Sequence, residues 1–162
     1  MDKVMEKARK LILELAEKYE IQILSIVLYG SRARGDYSFN SDYDIFILLG
    51  NNTTLLQFVQ FVSELRMISH SLGELKIYAC TEDDFKTILN ENMFVGAFCY
   101  IIAVEGRAIY ENEGAFQKIK SYVEGFPVPA KKQFLDRCVD MSKRLGSPRW
   151  VSHWREKMRN AQ

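Results

Sequence analysis

Proline, histidine and cysteine are all scarce in this 162-residue chain: three prolines, two histidines and three cysteines. Cys80, Cys99 and Cys138 are odd in number and widely spaced, with no Cys-x-x-Cys pair, which argues against a disulfide framework and a thiolate metal site. They read as reduced thiols of a cytoplasmic protein. The first residues, Met1-Asp2-Lys3-Val4-Met5-Glu6, lack the basic-then-apolar layout of a signal peptide. The longest nearly unbroken apolar run, Met93 to Val104, is too short to span a bilayer and predicts a buried helix, so no membrane partner is expected. Neither His70 nor His153 lies close in sequence to the stretch from Gly30 to Asp44, which carries the motif. With 48% hydrophobic residues and a net charge of +1, the chain can bury a substantial core.

The informative stretch runs from Leu28 to Leu49. An apolar strand breaks at Gly30-Ser31, a short basic loop follows, and, with ten residues between it and Ser31, a second strand opens with Asp42-Tyr43-Asp44. Side chains two apart on a strand share a face, so Asp42 and Asp44 present their carboxylates together while Tyr43 points away. Acids held this closely repel unless a cation sits between them, and Mg²⁺ suits the position because it takes oxygen ligands and completes its shell with water and substrate phosphates. Gly30 lets the backbone approach a phosphate, and Ser31 offers a hydroxyl and an amide at a helix start. Arg32 and Arg34 add positive charge beside the turn. A Gly-Ser turn or an Asp-x-Asp alone is commonplace; the two together at adjoining strand ends read as a site for a metal-bound nucleoside triphosphate.

At these residues the chain resembles the minimal nucleotidyltransferases of the DNA polymerase beta superfamily, whose signature is Gly-Ser, ten residues, Asp-x-Asp. Gly30, Ser31, Asp42 and Asp44 match it position by position, and Glu105-Gly106-Arg107-Ala108-Ile109-Tyr110-Glu111 resembles the family's closing segment, so the likeness covers roughly residues 1 to 112. The resemblance implies transfer of a nucleoside monophosphate from ATP or another NTP to a hydroxyl acceptor, with two Mg²⁺ ions and loss of pyrophosphate. It also points to AMP addition to a HEPN-type helical protein by an antitoxin-type enzyme, although the residues leave the acceptor open.

The family places a third carboxylate on a later strand, and here the chain departs from it. Gly73 to Thr81 reads as that strand, with Thr81 capping a helix whose first turn is Glu82-Asp83-Asp84. The family interval lands on Lys76. Glu74, two residues earlier, shares its face and is the candidate third ligand and catalytic acid beside Asp42 and Asp44. The alternative is an ordinary solvated strand face, with Lys76 in place of the acid and a domain that binds nucleotide without turnover.

Periodicity predicts a helix over Val4 to Tyr19, strands Ile21–Tyr29 and Asp42–Leu49, and an apolar helix from Leu55 closing near Gly73. After the third strand come a helical stretch Thr81 to Val104 broken near Asn90 to Asn92, a short strand Ala108 to Glu111 and a helix around Ala115 to Glu124. For Gly30 to share a site with Asp42, the first two strands must run antiparallel. For Glu74 to join them, the third must run parallel to the second through a right-handed crossover. The expectation is an α/β (α+β) nucleotidyltransferase fold, a small mixed sheet flanked by helices, over residues 1–124.

Gly125-Phe126-Pro127-Val128-Pro129 marks the expected boundary of a helical extension, 125–162, with helices over Lys131–Leu145 and Pro148–Asn160. Residues 131 to 162 carry nine Lys or Arg and three Asp or Glu, a net of +6. That excess fits a solvated helical surface better than a nucleic-acid face, because the charges form no block. Trp150 and Trp154, four apart, read as packing residues. Arg149 and His153 lie too close together for the Arg-x4-6-His ribonuclease pattern of HEPN proteins. Three functions follow: an active transferase, a nucleotide-holding module, or a subunit that docks a helical partner through its C-terminal region.

Overall fold

The computed structural model describes residues 2–38, 40–91 and 93–161. Helix α1 (Lys3–Lys18) is started by the Asp2 carboxylate, which accepts from the Met5 N–H at 2.9 Å, and buries Met5, Ala8, Ile12, Leu15 and Ala16 as one stripe. Strand β1 (Ile23–Tyr29) leads into a single-turn helix α2 (Ser31–Arg34), then strand β2 (Tyr43–Leu49). Helix α3 (Leu55–Ser69) opens with a capping box in which Thr54 and Gln57 satisfy each other's backbone N–H groups, and it closes through a 3-10 turn at His70–Leu72. Strand β3 (Leu75–Thr81) hands its last residue to helix α4 (Glu82–Glu91) as a cap, with the Asp84 N–H donating to Thr81 Oγ1 at 3.2 Å. Helix α5 (Met93–Glu105), strand β4 (Arg107–Glu111) and helices α6 (Ala115–Glu124), α7 (Val128–Arg144) and α8 (Pro148–Arg159) complete the order.

The sheet has the order β3-β2-β1-β4. β1 runs antiparallel to β2 and β4, whereas β2 and β3 are parallel, so the expected mixed sheet is present. Its register sets Tyr29 opposite Asp44 and Asp44 opposite Lys76. Both faces are covered. Ile26, Leu28, Ile45, Ile47 and Leu49 pack with α1 and α3; Val27, Tyr29, Phe46, Leu48 and Cys80 face α4 to α8.

Several element boundaries differ from expectation. The first strand starts at Ile23, the second at Tyr43 where Asp42 was expected, the third at Leu75 where Gly73 was expected, and the fourth at Arg107 where Ala108 was expected; the single-turn helix at Ser31 is a discrete element, and α7 begins three residues before Lys131. Pro129 falls in the first turn of α7, where no intrahelical N–H bond is needed, so it lies inside the helix it was expected to precede. The expected break near 90–92 is met by α4 ending at Glu91 and α5 beginning at Met93; Asn92 lies outside the described residues.

The extension contributes to the main core. Phe134 stacks on Tyr100 of α5 with ring centroids 5.0 Å apart, Cys138 lies against Ala97, and Trp154 of α8 is fully buried. Burial pushes the Cys99 thiol up to about 12 and raises those of Cys80 and Cys138 as well, so all three stay protonated at neutral pH. Among the described residues no helix is long and apolar enough to cross a membrane. Truncating Trp154 to Ala should destabilise the whole protein by about 3–5 kcal/mol. Urea unfolding reads this, and a loss under 1 kcal/mol would mean that α8 is not part of the cooperative core.

Candidate active site

Gly30 takes φ +76° and ψ −158°, a backbone conformation that side chains disfavour, and a Cβ there would collide with the Asp44 carboxylate. The glycine therefore serves two ends: it turns the chain out of β1 and leaves room for Asp44 on the neighbouring strand. Its carbonyl accepts from the N–H groups of Ala33 and Arg34, closing α2. The amides of Ser31 and Arg32, first in that helix, have no intrahelical acceptor and remain available to a phosphate.

The carboxylates line up along one sheet face. Asp42 and Glu74 each stand one residue ahead of their strands, and the Tyr43 N–H donates to the Glu74 carbonyl at 3.0 Å, which holds the two strand entries side by side. The Glu74 carboxyl lies within hydrogen-bonding reach of Asp42. The Asp42 carboxylate beside it pushes the Glu74 carboxyl up from the ordinary range, while hydrogen bonding to Glu74 and then to Lys76 brings Asp42 down. Lys76 Nζ sits 2.9 Å from Asp42 Oδ2, so an internal cation also balances this acid. Asp44 is half-buried, and loss of solvation raises its carboxyl; Lys76 opposes the rise, Asp42 adds to it and Arg34 opposes it.

The two arginines take different places. Arg34 enters a cavity of about 530 Å³ that also contains Gly30, Ser31, Asp44 and Lys76. Arg32 turns the other way, donating through Nε and Nη2 to the Ser41 carbonyl at 3.1 and 2.9 Å and lying 3.9 Å from the Tyr43 ring centroid. Its charge still favours ionised Asp42, but it pins the loop before β2 and does not line the cavity. Asp42 and Glu74 also stand outside the cavity lining, at the entries to β2 and β3.

Glu105 had no assigned role in the sequence. Its carboxylate, 4% exposed, accepts the Gly30 N–H at 2.9 Å and both its oxygens accept from Arg34 Nη1 at 3.1 Å. Burial raises its carboxyl, while the Arg34 charge and both sets of hydrogen bonds oppose the rise. Its signal was an acid ending an otherwise apolar run directly before Gly106. A Cβ on Gly106 would come within 2.6 Å of Val27 Cγ1 and 2.9 Å of Phe116 Cζ, so glycine lets the end of α5 press against β1.

The donor set is hard oxygen, and it fits Mg²⁺ in the form that relies on one or two carboxylates with substrate phosphates supplying the rest. Among the described residues no three acidic, histidine or cysteine side chains form a ready-made metal cage. Asp42 and Asp44 are the residues that would hold such an ion, with Glu74 the candidate third.

A mixed sheet with a Gly-Ser turn facing paired aspartates defines a nucleotide-transferring class of domain. The sequence profile described as polymerase beta, nucleotidyltransferase, matches residues 10–114, and the chain belongs to that family. Comparison with curated proteins finds no match. Solved structures similar to the chain include a toxin–antitoxin complex with AMP-PNP, at 15% identity and TM-score 0.44, covering 69% of this chain and 80% of that one. The toxin–antitoxin MntA-HepT is 14% identical at TM-score 0.43, covering 73% and 82%. A tri-AMPylated Shewanella oneidensis HEPN toxin in complex with MNT antitoxin gives 12% identity and TM-score 0.42, covering 73% and 82%.

Because the folded state raises the Asp44 carboxyl, it holds that proton more tightly than the unfolded chain does. The group's contribution to stability is therefore fully present below the usual aspartate range and is lost as pH rises through the raised value. Asp44→Asn should melt higher than the parent at pH 7 in chelator, with the gap closing as pH falls below the aspartate range. An unchanged or lower melting temperature at pH 7 would show that Asp44 is not strained by its surroundings.

Proposed function

We propose that this chain is a Mg²⁺-dependent nucleotidyltransferase that moves a nucleoside monophosphate, AMP in the reading we favour, from an NTP to a hydroxyl on a partner protein. The observation that carries the reading is the register that sets the Gly30-Ser31 turn against Asp44, with Asp42, Glu74 and Lys76 on the same sheet face. A helical protein of the HEPN type is the proposed acceptor, on the sequence resemblance alone.

When bound, divalent cations neutralise the triphosphate and the departing pyrophosphate. The chain's own residues do the rest. Gly30 and the first amides of α2 take the phosphates close to the backbone, Arg34 adds a fixed positive charge, and Asp42 and Asp44 hold the metal-facing side. The acceptor oxygen attacks the α-phosphorus, the bond to the β-phosphate oxygen breaks, and pyrophosphate leaves with the bonding pair. Glu74, exposed beside Asp42 at the entry to its strand, takes the hydroxyl proton.

One observation favours a second reading. The 2.9 Å ion pair puts the Lys76 ammonium where a cation would bridge Asp42, so Lys76 can stand in for the metal and leave a module that holds nucleotide without transfer. Pyrophosphate release from Mg·ATP with the acceptor supplied separates the two. The transferase reading expects turnover in the parent, loss of it in Asp44→Asn, and at least a tenfold drop in Glu74→Gln with little change in ATP affinity, since the base acts chiefly in the transition state. An inactive parent that gains turnover in Lys76→Asp would establish the second reading instead.

Ser31→Ala should weaken Mg·ATP binding by about 0.5–1.5 kcal/mol and leave the fold intact. Calorimetry with a parallel thermal melt reads both. Unfolding of the variant would make Ser31 a structural turn residue.

A further inference from the structure

The polar lining of the 530 Å³ cavity accounts for a triphosphate; its apolar lining does not. Ile77, Tyr78, Phe98 and Ile101 form part of the wall, and three residues reach it from the extension: Leu145, Ser147 and Trp150, at the turn joining α7 to α8. That turn is well defined. Gly146 takes φ +68°, and Ser147 Oγ accepts the Trp150 N–H at 3.3 Å to start α8.

Two features give this turn a ligand-facing character. Leu145 is 68% exposed at the cavity edge, although its neighbours along α7, Phe134, Leu135, Cys138 and Val139, are all buried. Trp150 is half-buried, unlike fully buried Trp154, and the Arg34 guanidinium lies 4.6 Å from its ring centroid. Arg34 is in turn gripped by Glu105, which also accepts the Gly30 N–H. A chain of contacts thus runs from the phosphate-side turn to the indole across the cavity.

We propose that the α7–α8 turn is the nucleoside wall of the cleft, with Leu145 and Trp150 packing against the nucleobase and sugar of a nucleoside triphosphate whose phosphates lie at Gly30 and Ser31. The inference rests on the nucleotidyltransferase reading above and extends the site beyond the segment that the family profile covers, which ends at residue 114. Trp150, read from sequence as a packing residue, becomes a substrate-contacting one, while Trp154 keeps the packing role.

The wall separates two ligands that share the same phosphates. Calorimetric titration of the full chain with Mg·ATP and with Mg·tripolyphosphate, for the parent, Leu145→Ser, Trp150→Ala and Trp150→Phe, tests it. Leu145→Ser and Trp150→Ala should each weaken Mg·ATP by about tenfold, the scale of one lost base contact. Leu145→Ser, which does not touch Arg34, should leave tripolyphosphate affinity unchanged, and Trp150→Phe should keep most of the ATP affinity. Leu145 is exposed enough for its variant to fold whatever happens to Trp150→Ala, and a thermal melt confirms this. Unchanged ATP affinity in Leu145→Ser, or equal losses for both ligands in it, overturns the nucleoside wall. So does a parent that binds tripolyphosphate as tightly as ATP. A parent that binds neither ligand overturns the transferase reading itself, and this inference with it.

Discussion

A buried carboxylate, Glu105, ties the site to the scaffold. Taking a charge out of water is costly, and the cost is offset only when its partners are fixed in place. Here they are the Gly30 N–H and the Arg34 guanidinium, which come from the two sides of the turn after β1. Satisfying Glu105 therefore sets the unusual Gly30 backbone, the entry to α2 and the direction of Arg34 at once. Gly106 makes this possible from the other side, because only a residue without a Cβ lets the end of α5 press so close to β1 and Phe116.

At the strand entries where the carboxylates meet, the balance is electrostatic. Asp42, Asp44 and Glu74 would repel one another; the Lys76 ion pair to Asp42 offsets part of this, and the Glu74 and Asp44 carboxyls are both raised. A divalent cation held by Asp42 and Asp44 would relieve the same repulsion. The site is thus strained in the direction of its proposed ligand, which is the usual relation between functional charge and folding stability.

The helical extension joins two roles that its composition kept apart. Its apolar stripes complete the core over α5, with Phe134 on Tyr100 and Trp154 fully buried. Its Lys and Arg residues lie mainly on the outer surfaces of α7 and α8, consistent with a solvated basic face. Between the two helices, the turn at Leu145 to Ser147 projects to the same cavity as Asp44.

The sequence by itself determined the strands, the antiparallel and parallel pairings, and the Gly-Ser and Asp-x-Asp elements of the site. These depend on local periodicity and on motif spacing, both of which are written in consecutive residues. The caps at Asp2 and Thr54 are also local and leave the helix starts within a residue of expectation, whereas the first-turn place of Pro129 brought the start of α7 forward by three residues. Tertiary structure alone decided what each charge faces. Arg32 and Arg34 stand two apart in one basic loop, but one pins Ser41 and stacks on Tyr43 while the other enters the cavity. Glu105 lies 75 residues from Gly30, and Trp150 meets Arg34 across an even longer stretch of chain. Contacts of that kind arise from the packing of distant elements, and no local pattern of residues encodes which partner a buried charge will find.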